Sequence, residues 1–165
     1  MRHWTFKSAV RVLNKKDLKS KEENSLVSPL GNRFSSIIDL ITNEEASIKK
    51  EAHAIADFLY RKTPVIYAVD GYNGVATRIR QQINENSKVL CWHHVIPEMN
   101  HNELVGWAGG SDQIAVLFLR NKSDFSRSQA RIEINKKVIS KYTPHIYELW
   151  SKGQSMIRSE EHTSE

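Results

Sequence analysis

Apolar and polar positions along the chain follow two rhythms that alternate. Ser47–Tyr60, SIKKEAHAIADFLY, sets Ile48, Ala52, Ile55, Ala56 and Leu59 at helical spacing behind TNEE, where Thr42 or Asn43 can cap and acids fill the first turn. This predicts a helix. Thr63–Val69, TPVIYAV, is a short β-rich run; Asp70-Gly71 and Gly74 then punctuate the chain before the helical pattern of Val75–Asn86, VATRIRQQINEN. Lys88–Val95, KVLCWHHV, reads as a second strand, and Gln113–Arg120, QIAVLFLR, as a third that is apolar almost throughout. Such continuous runs suit strands covered on both faces. Phe125–Tyr142 has a helical pattern, and His145–Trp150, HIYELW, completes a fourth strand. Strands alternating with helices predict an α/β fold, a parallel sheet flanked by helices with right-handed connections. In such sheets ligands gather beyond the carboxyl ends of the strands, which directs attention to the segments after Val69, around His93 and His94, and after Arg120.

A length of 165 residues with 39% hydrophobic and 26% charged content is ordinary for one globular domain. No run approaches the ~18–20 apolar residues of a membrane span, and MRHWTFKSAV lacks the apolar core and cleavage site of a secretory signal. The expectation is a cytoplasmic protein with no membrane partner. The lone Cys91 has no disulfide partner in the chain, in keeping with a reducing compartment. The net charge of +5 resides in residues 1–33, where eight Lys/Arg face three acids. No nucleic-acid motif accompanies that leader, so it is read as a solvated, poorly ordered segment and no nucleic-acid partner is expected. At the other end, Arg158–Glu165, RSEEHTSE, matches the in-frame translation of a common sequencing-library adapter. The organisation expected is therefore a basic leader over 1–33, a domain over 34–157, and an adapter-derived tail over 158–165 that takes His162 out of site reasoning.

The stretch Asn84–Glu103, NENSKVLCWHHVIPEMNHNE, concentrates the candidate chemistry. His93, His94, His101, Glu98 and Glu103 are metal-ligand types, but no HExxH or paired-cysteine spacing is present, and neighbouring His93 and His94 point to opposite faces of a strand. No metal is expected. Cys91 lies in an apolar strand, where a free cysteine behaves as a small buried hydrophobe rather than a nucleophile. Val69–Ala76, VDGYNGVA, joins a strand end to a helix N-terminus suited to anions, yet one Gly-x-x-Gly reads equally well as a tight turn. A fourth option is acid–base chemistry by a carboxylate and an imidazole, and it rests on a resemblance.

From about Phe34 to Ser151 the chain resembles the carboxyl-terminal half of bifunctional phosphoglucose/phosphomannose isomerases, members of the sugar isomerase (SIS) superfamily. The resemblance is carried by TPVIYAVDGYNGVATRIRQQINENSKVLCWHHVIPEMNHNELVGW, and within it by NEN and PEMNHNE. It implies a SIS-type, flavodoxin-like or Rossmann-like three-layer fold, truncated relative to the family. It also implies interconversion of glucose 6-phosphate, mannose 6-phosphate and fructose 6-phosphate without metal or cofactor, with Glu85 as base and His101 as the second catalytic group.

The chemistry suits those residue types. Aldose–ketose isomerisation opens a cyclic sugar and moves a proton between C2 and C1 through an enediol; imidazole suits the ring oxygen, and a carboxylate over C1–C2 suits the carbons. Glu98, Glu103, Asn100 and Asn102 are read as structural hydrogen-bonding residues, and His93 and His94 receive no role. Relatives of this kind have two SIS halves, the first with a Ser/Thr-rich phosphate loop that is not found here. The expectation is thus an inactive fragment of a homodimeric enzyme whose His101 reaches a neighbouring subunit; a non-catalytic sugar-phosphate-binding module is the alternative.

Overall fold

The computed structural model describes residue 39 and residues 41–151. The expected leader, the expected boundary between 33 and 34 and the expected tail lie outside the described residues. The chain divides into two compact units, one ending at Tyr60 and the other beginning at Arg61. In the first, α1 spans Glu45–Leu59, two residues ahead of the expected start, with Lys49 paired to Glu45 one turn earlier at 2.6 Å.

The second unit holds four strands, β1 (Thr63–Val69), β2 (Trp92–Ile96), β3 (Ile114–Arg120) and β4 (Ile146–Trp150), all parallel in the order β2-β1-β3-β4. Between them run α2 (Asn73–Gln82), α3 (Met99–Gly106) and α4 (Ser126–Ile139). The step from β1 to β2 goes one way along the sheet; the steps to β3 and β4 go the other. Right-handed connections therefore place α2 on one face and α3 and α4 on the other. The buried side chains divide in the same way. Val65, Tyr67, Val116 and Phe118 pack with Ile96, Met99 and Trp107 and with Ile132 and Ile139 of α4, while Ile66, Ala68, Leu117 and Leu119 pack with Cys91 and with Ala76 of α2. Alternate residues of β1 and β3 thus fill both cores, which is why those strands read as unbroken apolar runs.

Two departures from the sequence reading bear on the site. First, Gly71 and Gly74 do not form a glycine loop: a 3-10 turn, Asp70–Tyr72, runs directly into α2, and no described glycine has a positive φ. Helical geometry asks for no glycine there, and a Cβ at either position would meet nothing within 4 Å. Second, β2 starts at Trp92 rather than Lys88. After α2 the chain makes a π turn, Ile83–Ser87, which closes on Lys88 in the left-handed region at φ 56°. Val89 and Leu90 then return to the sheet edge as coil, and Leu90 is 82% exposed despite its apolar side chain.

The carboxyl end of β3 carries a charge cluster. Arg120 bonds Glu133 of α4 and Glu148 of β4, each at 2.7 Å, and its guanidinium lies 4.5 Å from the Trp150 ring centroid. Lys136 pairs with the same two carboxylates. This polar cluster ties β3, β4 and α4 together.

Candidate functional site

The NHNE segment lies on α3, which begins three residues after β2 at the carboxyl edge of the sheet. A helix turns 100° per residue, so Met99, Asn100, Glu103 and Trp107 share one flank while His101, Asn102 and Val105 occupy another. Met99 and Trp107 are buried, whereas His101, Asn102 and Val105 are exposed. The polar members of the inner flank are bonded. Asn100 Nδ2 donates to Oδ1 of the buried Asn135 on α4 at 2.5 Å.

Glu103 is the centre of a larger network. Its Oε1 accepts from Trp92 Nε1 at 2.7 Å and from the Tyr67 hydroxyl at 3.0 Å. Its Oε2 lies 2.8 Å from His94 Nδ1. Tyr67 OH in turn accepts from Trp107 Nε1 at 2.9 Å. One carboxylate thereby joins α3 to β1 and to two residues of β2. Burial, followed by the charge of Glu103, pushes the Tyr67 hydroxyl well above the usual phenol range, so it stays a neutral donor. The structural reading of Asn100 and Glu103 agrees with this geometry. Tyr67, Trp92, Trp107 and Asn135 were not singled out by sequence pattern; their partners lie far apart along the chain, and no spacing rule links them.

Glu85 sits on the π turn after α2 and is exposed. Its neighbour Asn84 accepts from the backbone N–H of Cys91 at 2.8 Å and so holds the coil that leads into β2. Because α2 runs back along the sheet from the end of β1, Glu85 lies near the amino edge, where β2 starts with Trp92 opposite Val65. His101 follows Ile96, opposite Val69, at the carboxyl edge. Five strand residues separate these ends, roughly 15 Å of rise. The structure does not bring Glu85 and His101 together within one chain. His101 thus lies toward the carboxyl edge, where ligands are expected to gather, and Glu85 toward the amino edge, because a helix that returns antiparallel to β1 ends at the opposite edge.

The other candidates are placed as follows. His93 and His94 face opposite sides of β2, as strand alternation requires: His93 Nε2 lies 3.1 Å from both Thr77 Oγ1 and Asn73 Oδ1 on the α2 side, and His94 meets Glu103 on the other. Both lie within the strand rather than beyond its end. Burial, then the charges of Arg80 and His94, hold the His93 imidazole below its usual pKa. Cys91 is buried, and that burial, partly offset by Arg80, pushes its thiol up to about 11. Such a thiol is protonated and unreactive near neutrality. Among the described residues no group of three or more His, Cys, Asp or Glu is placed to hold a metal ion, and no helix is long and apolar enough to cross a membrane.

Comparison with known proteins places this arrangement in context. Residues 48–160 match the family described as the bacterial phospho-glucose isomerase C-terminal SIS domain. A bifunctional phosphoglucose/phosphomannose isomerase of Aquifex aeolicus is 33% identical over 113 residues, covering 67% of this chain and 35% of the relative. One from Caldicellulosiruptor bescii is 27% identical over 143 residues, 80% of this chain and 42% of the relative. The chain thus spans well under half the length of these curated relatives. A solved structure from Clostridium difficile 630, described as a phosphosugar isomerase, superposes with a TM-score of 0.56 at 15% identity, over 79% of this chain and 36% of that one. At that identity the likeness concerns the fold, a parallel α/β sheet flanked by helices.

Proposed function

Because the chain belongs to the bacterial phospho-glucose isomerase C-terminal SIS domain family, we propose that it is the carboxyl-terminal part of a sugar-phosphate aldose–ketose isomerase acting on glucose 6-phosphate and mannose 6-phosphate, with fructose 6-phosphate as product. Glu85 is the base that carries a proton between C2 and C1 of the enediol, and His101 serves the ring oxygen during opening. No metal or cofactor is assigned a part. The working site forms between two copies of the whole protein in the cytoplasm, His101 of one copy completing the pocket that holds Glu85 of the other. The portion of the whole protein outside this chain grips the phosphate. The 165-residue chain alone is accordingly expected to leave fructose 6-phosphate unconverted.

The observation that supports this reading is that the exposed side chains of Glu85 and His101 lie toward opposite edges of one sheet, each beside an asparagine or glutamate that fixes its segment. Two groups that far apart cannot serve one substrate from one chain, whereas a second copy can supply the missing member. The test mixes two inactive whole-protein variants, Glu85→Gln and His101→Ala. Recovered turnover in the heterodimer supports a shared site. No recovery, with heterodimers demonstrated, rejects it, and full turnover by either variant alone removes that residue from the mechanism.

A further inference from the structure

The Glu103 network ties α3 to two strands of the sheet, and it is centred two residues from His101. Glu103 is about three-quarters buried, its side chain 26% exposed, and both of its oxygens are engaged. The donors are rigid aromatic groups with few torsions: the Trp92 indole, the Tyr67 phenol and the His94 imidazole. Tyr67 is itself fixed by the Trp107 indole, one turn beyond Glu103. A carboxylate caught between groups of this kind fixes the rotation of its helix as well as its distance from the sheet. On α3 that rotation decides where the outer flank points. Residues 101 and 103 differ by 200° of helical turn, so drawing Glu103 onto β1 and β2 aims His101 away from them. The Asn100–Asn135 bond sets the same helix against α4.

We propose that Glu103 is a positioning residue for His101, holding α3 in the one rotation that presents the imidazole to a substrate bound by the neighbouring copy. The assignment rests on the isomerase reading of His101 and deepens it. Glu103 touches no substrate; it acts by keeping His101 within reach of the sugar ring. A displacement of about 1 Å at a catalytic group costs on the order of 10²-fold in rate. Losing the carboxylate releases three donors together, on both strands that α3 covers.

The experiment is a double-mutant cycle on the whole protein with cyclic glucose 6-phosphate as substrate, using E103A, H101A and the pair. E103A is expected to lower kcat about 10²-fold with KM little changed, and the pair is expected to match H101A alone, because misplacing an absent imidazole has no further cost. E103Q keeps an acceptor oxygen for Trp92 and Tyr67 and should recover most of the turnover; should E103A fail to fold, E103D, whose shorter side chain draws the carboxylate away from its donors, takes its place in the cycle. In the 165-residue chain, amide hydrogen exchange under E103A should accelerate more over Met99–Gly106 than over β1 and β3. Losses that multiply in the pair, wild-type kcat in E103A, or exchange that quickens equally throughout the sheet would each overturn the positioning role while leaving His101 in the mechanism. Wild-type turnover in H101A would instead overturn the isomerase reading of His101, and this inference with it.

Discussion

Replacing Tyr67 with Phe isolates a single hydroxyl inside the Glu103 network. The ring is fully buried and packs on Phe118 at a centroid distance of 5.5 Å, and Phe preserves that contact without opening a cavity. Two bonds are lost: the donation to Glu103 at 3.0 Å and the acceptance from Trp107 Nε1 at 2.9 Å. A hydrogen bond to a charged group contributes about 1.5–3 kcal/mol, and a buried donor left without an acceptor costs about 1–3 kcal/mol. Glu103 retains Trp92 and His94, so the lower part of each range applies to the first bond; Trp107 is 4% exposed, so water does not readily replace the second. The expected loss is about 2–4 kcal/mol. In a unit of this size it corresponds to a drop of about 10–25 °C in Tm. Urea unfolding followed by far-UV circular dichroism measures it, with an unchanged m-value showing that the same surface is exposed. A loss below about 0.5 kcal/mol would mean that both partners are satisfied without the hydroxyl, and would refute the description of Glu103 as a closed network.

Cys91 and His93 give two further tests. With its thiol raised to about 11, Cys91 in the folded chain should react with iodoacetamide at pH 8 on the order of 10² times more slowly than a free cysteine; matching rates before and after urea would contradict its burial. The depressed imidazole pKa of His93 means that the unfolded chain takes up a proton first as pH falls, so this residue's contribution to stability is intact above about 6.5 and declines below it. A pH series of urea midpoints should therefore slope less steeply between pH 7 and 5 in His93→Asn; parallel slopes would show that His93 titrates alike in both states.

The strands and helices were legible wherever one pattern had one cause. β1, β3 and β4 fall within a residue of their expected limits because their apolar runs serve the sheet directly. β2 was read four residues early because Val89, Leu90 and Cys91 continue its apolar run while only Cys91 is buried. Hydrophobicity reports an affinity for cover, and for Leu90 that cover is not the sheet. No helix is expected over Met99–Gly106 because PEMNHNE has little apolar periodicity; the inner flank of α3 is held as much by Asn100 and Glu103 as by Met99 and Trp107. Of the proposed site, Glu85 and His101 are legible only through resemblance. The partners of Glu103 were not legible at all, since Tyr67 is 36 residues away and acts through a hydroxyl that no periodicity marks.

The π turn that ends α2 links chain length to chemical aim. Ile83–Ser87 winds with one residue more than an α-helical turn would hold, an insertion of a kind frequent at functional sites. Removing one residue between Gln82 and Glu85 would let α2 continue in regular form while swinging Glu85 by about 100° around the helix. Length variation at this point is therefore favourable for the helix and harmful for the carboxylate it carries. Under the role proposed for Glu85, a shortened turn would keep the helix and lose the aim of the base.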